Sequence, residues 1–71
     1  MNIPEIVIDQ AVDAIINARD FCANEREAVR EIAAENRVKD VQRLWRIANF
    51  RANAKWRVFQ RAANVPEKWI W

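Results

Sequence analysis

The chain carries one thiol, Cys22, and no other nucleophile of the common kind: from Met1 to Trp71 there is no Ser, Thr, Tyr or His, and no Gly. A thiol attacks as its thiolate, which needs a base or a positive neighbour to form. No imidazole is present, and Asp20 and Glu25 stand close in sequence and disfavour the anion, so Cys22 is expected to be a small buried hydrophobe. Carboxylates one turn apart, Asp9 with Asp13 and Glu27 with Glu31, are spaced to touch a hard cation. Without His, and without a Gly-containing loop to wrap the ion, no metal site and no cofactor is expected. A glycine-rich phosphate cradle is ruled out by the same composition. These residues point to a protein that is not an enzyme and acts by presenting a surface.

Charge is the chemistry that remains, and it is divided along the chain. Residues 1–35 hold eight acids and three bases, a net of −5, whereas residues 36–71 hold nine bases and two acids, a net of +7. The formal total of +2 therefore conceals a dipolar molecule. On a helical wheel Glu5, Asp9, Asp13 and Asp20 gather opposite the apolar side of the first segment. Lys39, Arg43, Arg46, Arg57 and Arg61 form a stripe opposite the apolar side of the last one, with Phe50 and Ala54 inside it. An aromatic ringed by Arg has the anchor-and-rim pattern of a protein interface. The candidate partner-binding residues are Arg43, Arg46, Ile47, Phe50, Arg51, Arg57 and Arg61, joined by Trp69 and Trp71 of the tail. Val58 adds apolar area, and Gln42, Asn49, Asn53 and Gln60 flank the stripe. Both charged faces are expected to point outward and to pair between molecules, the acidic face of one copy against the basic stripe of another in a homodimer.

The elements that position these residues follow from the apolar period, which is helical nearly throughout and predicts an all-α bundle in a single domain. Pro4 suits a first turn, with Glu5 and Asp9 complementing the helix dipole. The first helix is predicted over residues 4–22, with Val7, Ile8, Ala11, Val12, Ala14, Ile15, Ala18, Phe21 and Cys22 on its core side. Asn24 followed by Glu27 matches a capping box and predicts a second helix from Glu25. No Gly or Pro then intervenes before Pro66, so a helical hairpin with a long second arm is the alternative architecture. The phase of the pattern argues for a break. Ala28, Val29, Ile32 and Ala33 point about 140° away from the stripe of Val38, Val41, Leu44, Trp45, Ala48, Ala52, Trp56, Phe59 and Ala63 if the helix is continuous. A break at Asn36, the non-Gly residue that best tolerates the left-handed conformation, turns both stripes to one core. Three helices are predicted, over 4–22, 25–35 and 38–63, followed by a Trp-rich tail that either covers the open end of the bundle or anchors a partner.

At 71 residues such a bundle buries only about 60% of its unfolded surface, which favours self-association or binding to something larger. A hydrophobic content of 52% argues against a disordered chain, and 31% charged residues with no long apolar run argue against a membrane-spanning one. With no basic leader at the start, the chain is expected in the cytoplasm. The leading functional expectation is a regulator or inhibitor that occludes or bridges a larger protein, of the kind carried by phages and other mobile elements. The second is a nucleic-acid-binding regulator using the basic last helix, Arg on guanine and Asn on adenine. Ala54–Lys55–Trp56–Arg57 resembles the basic end of a homeodomain recognition helix. That family's Trp-Phe pair and base-reading Asn are out of register in Ala48–Asn49–Phe50–Arg51–Ala52–Asn53, so none of its residue roles carries over. The acids of residues 1–35 could also imitate phosphates. Membrane-surface binding is not expected, because Trp45, Trp56 and Phe59 are assigned to the core.

Overall fold

A computed structural model of the chain describes residues 2–63, with side chains as far as Gln60. Three helices follow one another, α1 (Glu5–Asp20), α2 (Glu25–Glu35) and α3 (Val41–Ala63). They pack around one core as a three-helix bundle, in which α1 faces both of the others. The long Gly- and Pro-free stretch is therefore broken between Glu35 and Val41, where the phase of the apolar pattern shifts.

Each boundary has a local cause. Pro4 precedes α1 as its cap, φ −59° and ψ 144°, and its carbonyl accepts from the Val7 and Ile8 amides at 3.1 and 3.2 Å. Asn24 caps α2, its Oδ1 accepting the Glu27 amide at 3.1 Å. The Glu27 carboxylate lies 4.0 Å from Arg30 Nη1, one turn on. The third helix begins at Val41, three residues later than the apolar pattern predicts, because Asp40 caps it. Asp40 Oδ1 accepts the Arg43 amide at 3.1 Å and its carbonyl accepts the Leu44 amide at 3.1 Å. Val38 instead belongs to the connection and packs on the core from there.

Both interhelical turns are Schellman motifs built without glycine. After α1, the Ala23 amide donates to the Ala18 carbonyl at 2.7 Å and Cys22 to Arg19 at 3.3 Å. After α2, Val38 donates to Ala33 at 2.8 Å and Arg37 to Ala34 at 3.3 Å. The motif requires a left-handed residue one position beyond the cap, and Cys22 (φ 55°) and Arg37 (φ 56°) supply it. Asn36 is thus not the left-handed residue; it is the cap itself, φ −101° and ψ 7°. Its side-chain amide donates to the Ile32 carbonyl at 2.9 Å and to Gln10 Oε1 of α1 at 3.0 Å, tying the turn down.

The core is small and alanine-rich. Ile15, Leu44 and Val29, one from each helix, are its largest fully buried side chains. Around them lie Val7, Ile8, Ala11, Val12, Ala33, Ala48 and Ala52. Alanines at these contacts let the helix axes approach closely, so little volume is enclosed per contact. Two aromatic positions predicted for the core do not reach it. Phe21 leaves the helix at the α1 cap and is 80% exposed, and Phe59 is 57% exposed. Phe59 has the correct helical phase, but 23-residue α3 outruns its 16- and 11-residue neighbours, leaving its last turns without a wall. Cys22 is exposed as well, because it sits in the turn rather than on the α1 stripe. Among the described residues no helix is long and apolar enough to cross a membrane.

Candidate functional site

The side of α3 that faces away from Leu44, Ala48 and Ala52 carries the predicted stripe. Arg43, Arg46 and Arg57 are exposed, and none has an ion pair among the described residues. Phe50 stands between Arg46 and Arg57 at 78% exposure, with Ala54 and Val58 also exposed along the same side. Ile47 is only half in the stripe, since it is partly buried and packs against the core. Arg61 continues the helix, but its side chain, like Trp69 and Trp71, lies outside the described residues.

Arg51 does not belong to the free stripe. Its guanidinium clasps Glu5 of α1 in a two-pronged pair, Nη1 to Oε2 at 2.6 Å and Nη2 to Oε1 at 2.9 Å. One turn along, Lys55 Nζ lies 3.7 Å from Asp13 Oδ1. The Arg51 hydrogen bonds hold Glu5 below the ordinary carboxylate value. Glu5, with a further contribution from the Asp9 charge, raises Arg51. Two acids of the α1 face, Glu5 and Asp13, are therefore paired within the chain by α3, contrary to the expectation that the two charged faces pair only between molecules. Glu5, Asp9 and Asp13 sit along the α1 side next to α3, where Arg51 reaches Glu5 and Lys55 reaches Asp13. Asp20, at the end of α1, has no ion pair among the described residues.

Two arginines that the charge pattern does not single out organise the aromatics. Arg19, at the end of α1, donates from Nε and Nη2 to Glu25 Oε1 at 3.1 and 2.7 Å, and its guanidinium lies 5.5 Å from the Trp56 ring centre. One side chain thus links α1 to the start of α2 and to α3. Trp56 in turn stacks on Phe59, ring centres 5.8 Å apart and planes at 25°. On the other flank of α3, Arg26 of α2 covers Trp45 at 5.4 Å. There Arg26, Arg30, Val41, Gln42, Trp45 and Arg46 line an open cleft of about 530 Å³ between α2 and α3. Trp45 and Val41, read from sequence as core, are half-buried and pack against the core while also lining this cleft. The available signal was the Arg26–Arg30 pair: like charges one turn apart repel, and a sequence under no other demand avoids them.

Among the described residues no cluster of three or more Cys, Asp or Glu side chains is placed to hold a metal ion. Of the amides flanking the stripe, Gln42 lies at the cleft and Asn49 is half-buried. What the arrangement offers chemically is positive charge around exposed apolar area, on a helix held by internal ion pairs. No protein-family model matches this chain, and neither a curated protein nor a solved structure matches it.

Proposed function

We propose that the chain is a small non-enzymatic protein-binding module, a regulator or inhibitor that occludes or bridges a larger protein through the outer side of α3. The observation that carries this reading is Phe50, 78% exposed between arginines that have no ion pair among the described residues. An exposed Phe disfavours solubility, and surrounding Arg with no acid to neutralise it leaves the surface fitted to an apolar partner with an acidic rim. Glu5 and Asp13, which would otherwise offset that charge, are engaged by Arg51 and Lys55. A homodimer in this reading joins through the Phe50 stripe instead of through acid–base exchange. The test is affinity capture from a source lysate with wild-type protein and with Phe50→Asp, quantified by mass spectrometry. A protein retained by the first and lost by the second supports the reading; recovery of nothing above background refutes it.

Nucleic-acid binding is the second reading, favoured by the same uncompensated Arg43, Arg46 and Arg57. It is weakened by the loss of Arg51 and Lys55 to internal pairs. Titration against duplex DNA at two salt concentrations separates the two, because phosphate contacts give a steep fall of affinity with salt.

A further inference from the structure

The cleft between α2 and α3 carries three guanidinium groups, from Arg26, Arg30 and Arg46. Among the described residues the one ion pair that any of the three makes is the long contact of Arg30 with Glu27, 4.0 Å, a separation too long for a hydrogen bond. Arg26 and Arg30 stand one turn apart on α2, while Arg46 approaches from α3, so the like charges converge from two elements. Arg26 is held in place by stacking on Trp45. Val41 and the indole of Trp45 supply the apolar part of the lining, and Gln42 adds an amide. Carboxylates are the anions that arginine forks recognise in pairs, and the apolar wall asks for a hydrophobic neighbour beside them.

We propose that this cleft is a recognition site for an acidic segment of a partner protein, two or more carboxylates on Arg26, Arg30 and Arg46 and an adjoining apolar side chain against Val41 and Trp45. The assignment rests on the protein-binding reading above and names the chemistry of the partner. Arg46 lies on the exposed side of α3 between the cleft and Phe50, so one partner surface can span both. A nucleic acid fits less well, for two reasons. Arg26 already occupies a face of Trp45 on which a base would stack. Glu27 and Glu31 are exposed on α2 beside the two arginines, and a backbone with a charge on every nucleotide would have to run past them.

The experiment is a titration of the full chain followed by amide and side-chain NMR. The probes are the peptide acetyl-Glu-Leu-Glu-Glu-amide, the same peptide with Gln for each Glu, and oligothymidylate. Saturable shifts at the Trp45 indole N–H and the Arg26, Arg30 and Arg46 Nε–H groups with the acidic peptide alone are the expected result. Arg30→Ala, which removes no core side chain, is expected to keep the spectrum dispersed and weaken the peptide about tenfold, with Arg30→Lys recovering part of the loss. Absence of shifts, equal shifts with the Gln peptide, tighter binding of oligothymidylate, or an unchanged affinity in Arg30→Ala would each overturn the assignment. So would shifts at these groups that grow with protein concentration alone, which would give the cleft to a second copy. None of these readouts involves Phe50. An empty cleft removes this site and leaves the α3 stripe to its own capture experiment, whereas a filled cleft with failed capture keeps the anion site and removes the interface.

Discussion

Replacing Arg37 by glycine should stabilise the protein, and replacing its neighbour Asn36 should not. Arg37 is the left-handed residue of the second Schellman turn, φ 56°, whereas Asn36 has φ −101°. A residue with a Cβ in the left-handed region carries a steric cost of about 1–2 kcal/mol, which glycine removes. Glycine also enlarges the conformational freedom of the unfolded chain, which takes back roughly 0.5–1 kcal/mol. The net gain for Arg37→Gly is therefore about 0.5–1 kcal/mol, and no ion pair among the described residues is lost with the side chain. Cys22 (φ 55°) occupies the equivalent place after α1 and is exposed, so Cys22→Gly should gain a similar amount. The two turns flank the 11 residues of α2, about 16 Å of helix, and lie far enough apart for the gains to add. Urea and thermal unfolding of the double variant should show about 1–2 kcal/mol, and for a chain of this size a rise of roughly 7–13 °C in Tm. Asn36→Gly loses the hydrogen bonds to Ile32 and Gln10 and gains no relief, so it should fall below wild type. If Asn36→Gly stabilises while Arg37→Gly does not, the turn is wound one residue earlier and the Schellman assignment is wrong.

Three further perturbations bear on the bundle. Leu44→Ala opens a cavity beside Ile15 and Val29 in a core already rich in alanine, and should cost about 3 kcal/mol by chemical denaturation; a loss below 1 kcal/mol would mean that Leu44 does not sit at the centre. Asp40→Ala removes the cap of α3 and should cost about 1 kcal/mol, with faster amide exchange at Arg43 and Leu44 and none of that change at Asn49 or beyond. Glu5 is held below its ordinary value chiefly by the hydrogen bonds from Arg51, so its contribution is present above the unfolded carboxylate pKa and is lost as pH falls through the depressed folded one. Glu5→Gln should consequently flatten the acid end of the Tm-against-pH curve while leaving its shape above neutrality unchanged, and a parallel offset of the two curves would argue that the pair is not formed.

Most of the architecture is legible in the residues because it rests on local rules. The 3.6-residue period identifies the core faces of α1 and α2, Asn24 marks the start of α2, and the phase shift between Val29 and Leu44 requires the break. The errors come where the deciding neighbour is remote or where two local rules compete. Asp40 before Val41 is a cap signal, yet Val38 continues the apolar phase and pulls the predicted start three residues early. Asn36 is the better left-handed former by type, but the Schellman geometry assigns that conformation to the following residue and accepts Arg37 there. A wheel drawn for one helix reports which side is polar and not which flank another helix approaches. Glu5 with Arg51, 46 positions apart, is invisible to it, as is the convergence of Arg26 and Arg46 across the α2–α3 cleft.

The internal pairs alter what the charge asymmetry means for binding. An ion pair within one chain forms without the loss of translational and rotational freedom that a second molecule must bear, so the acids of α1 meet the bases of α3 before any partner does. The bases left over are not a random remainder. Arg51 and Lys55 lie on the α1 side of α3 and are consumed there, whereas Arg43, Arg46 and Arg57 lie on the outer side and Arg26 and Arg30 lie across the cleft. Pairing therefore leaves Arg43, Arg46 and Arg57 of α3 without an ion pair among the described residues, and Arg46 joins the α2–α3 cleft to the side that carries Phe50. A field of one sign over a helix anchored by its own ion pairs steers an acidic partner and orients it before contact.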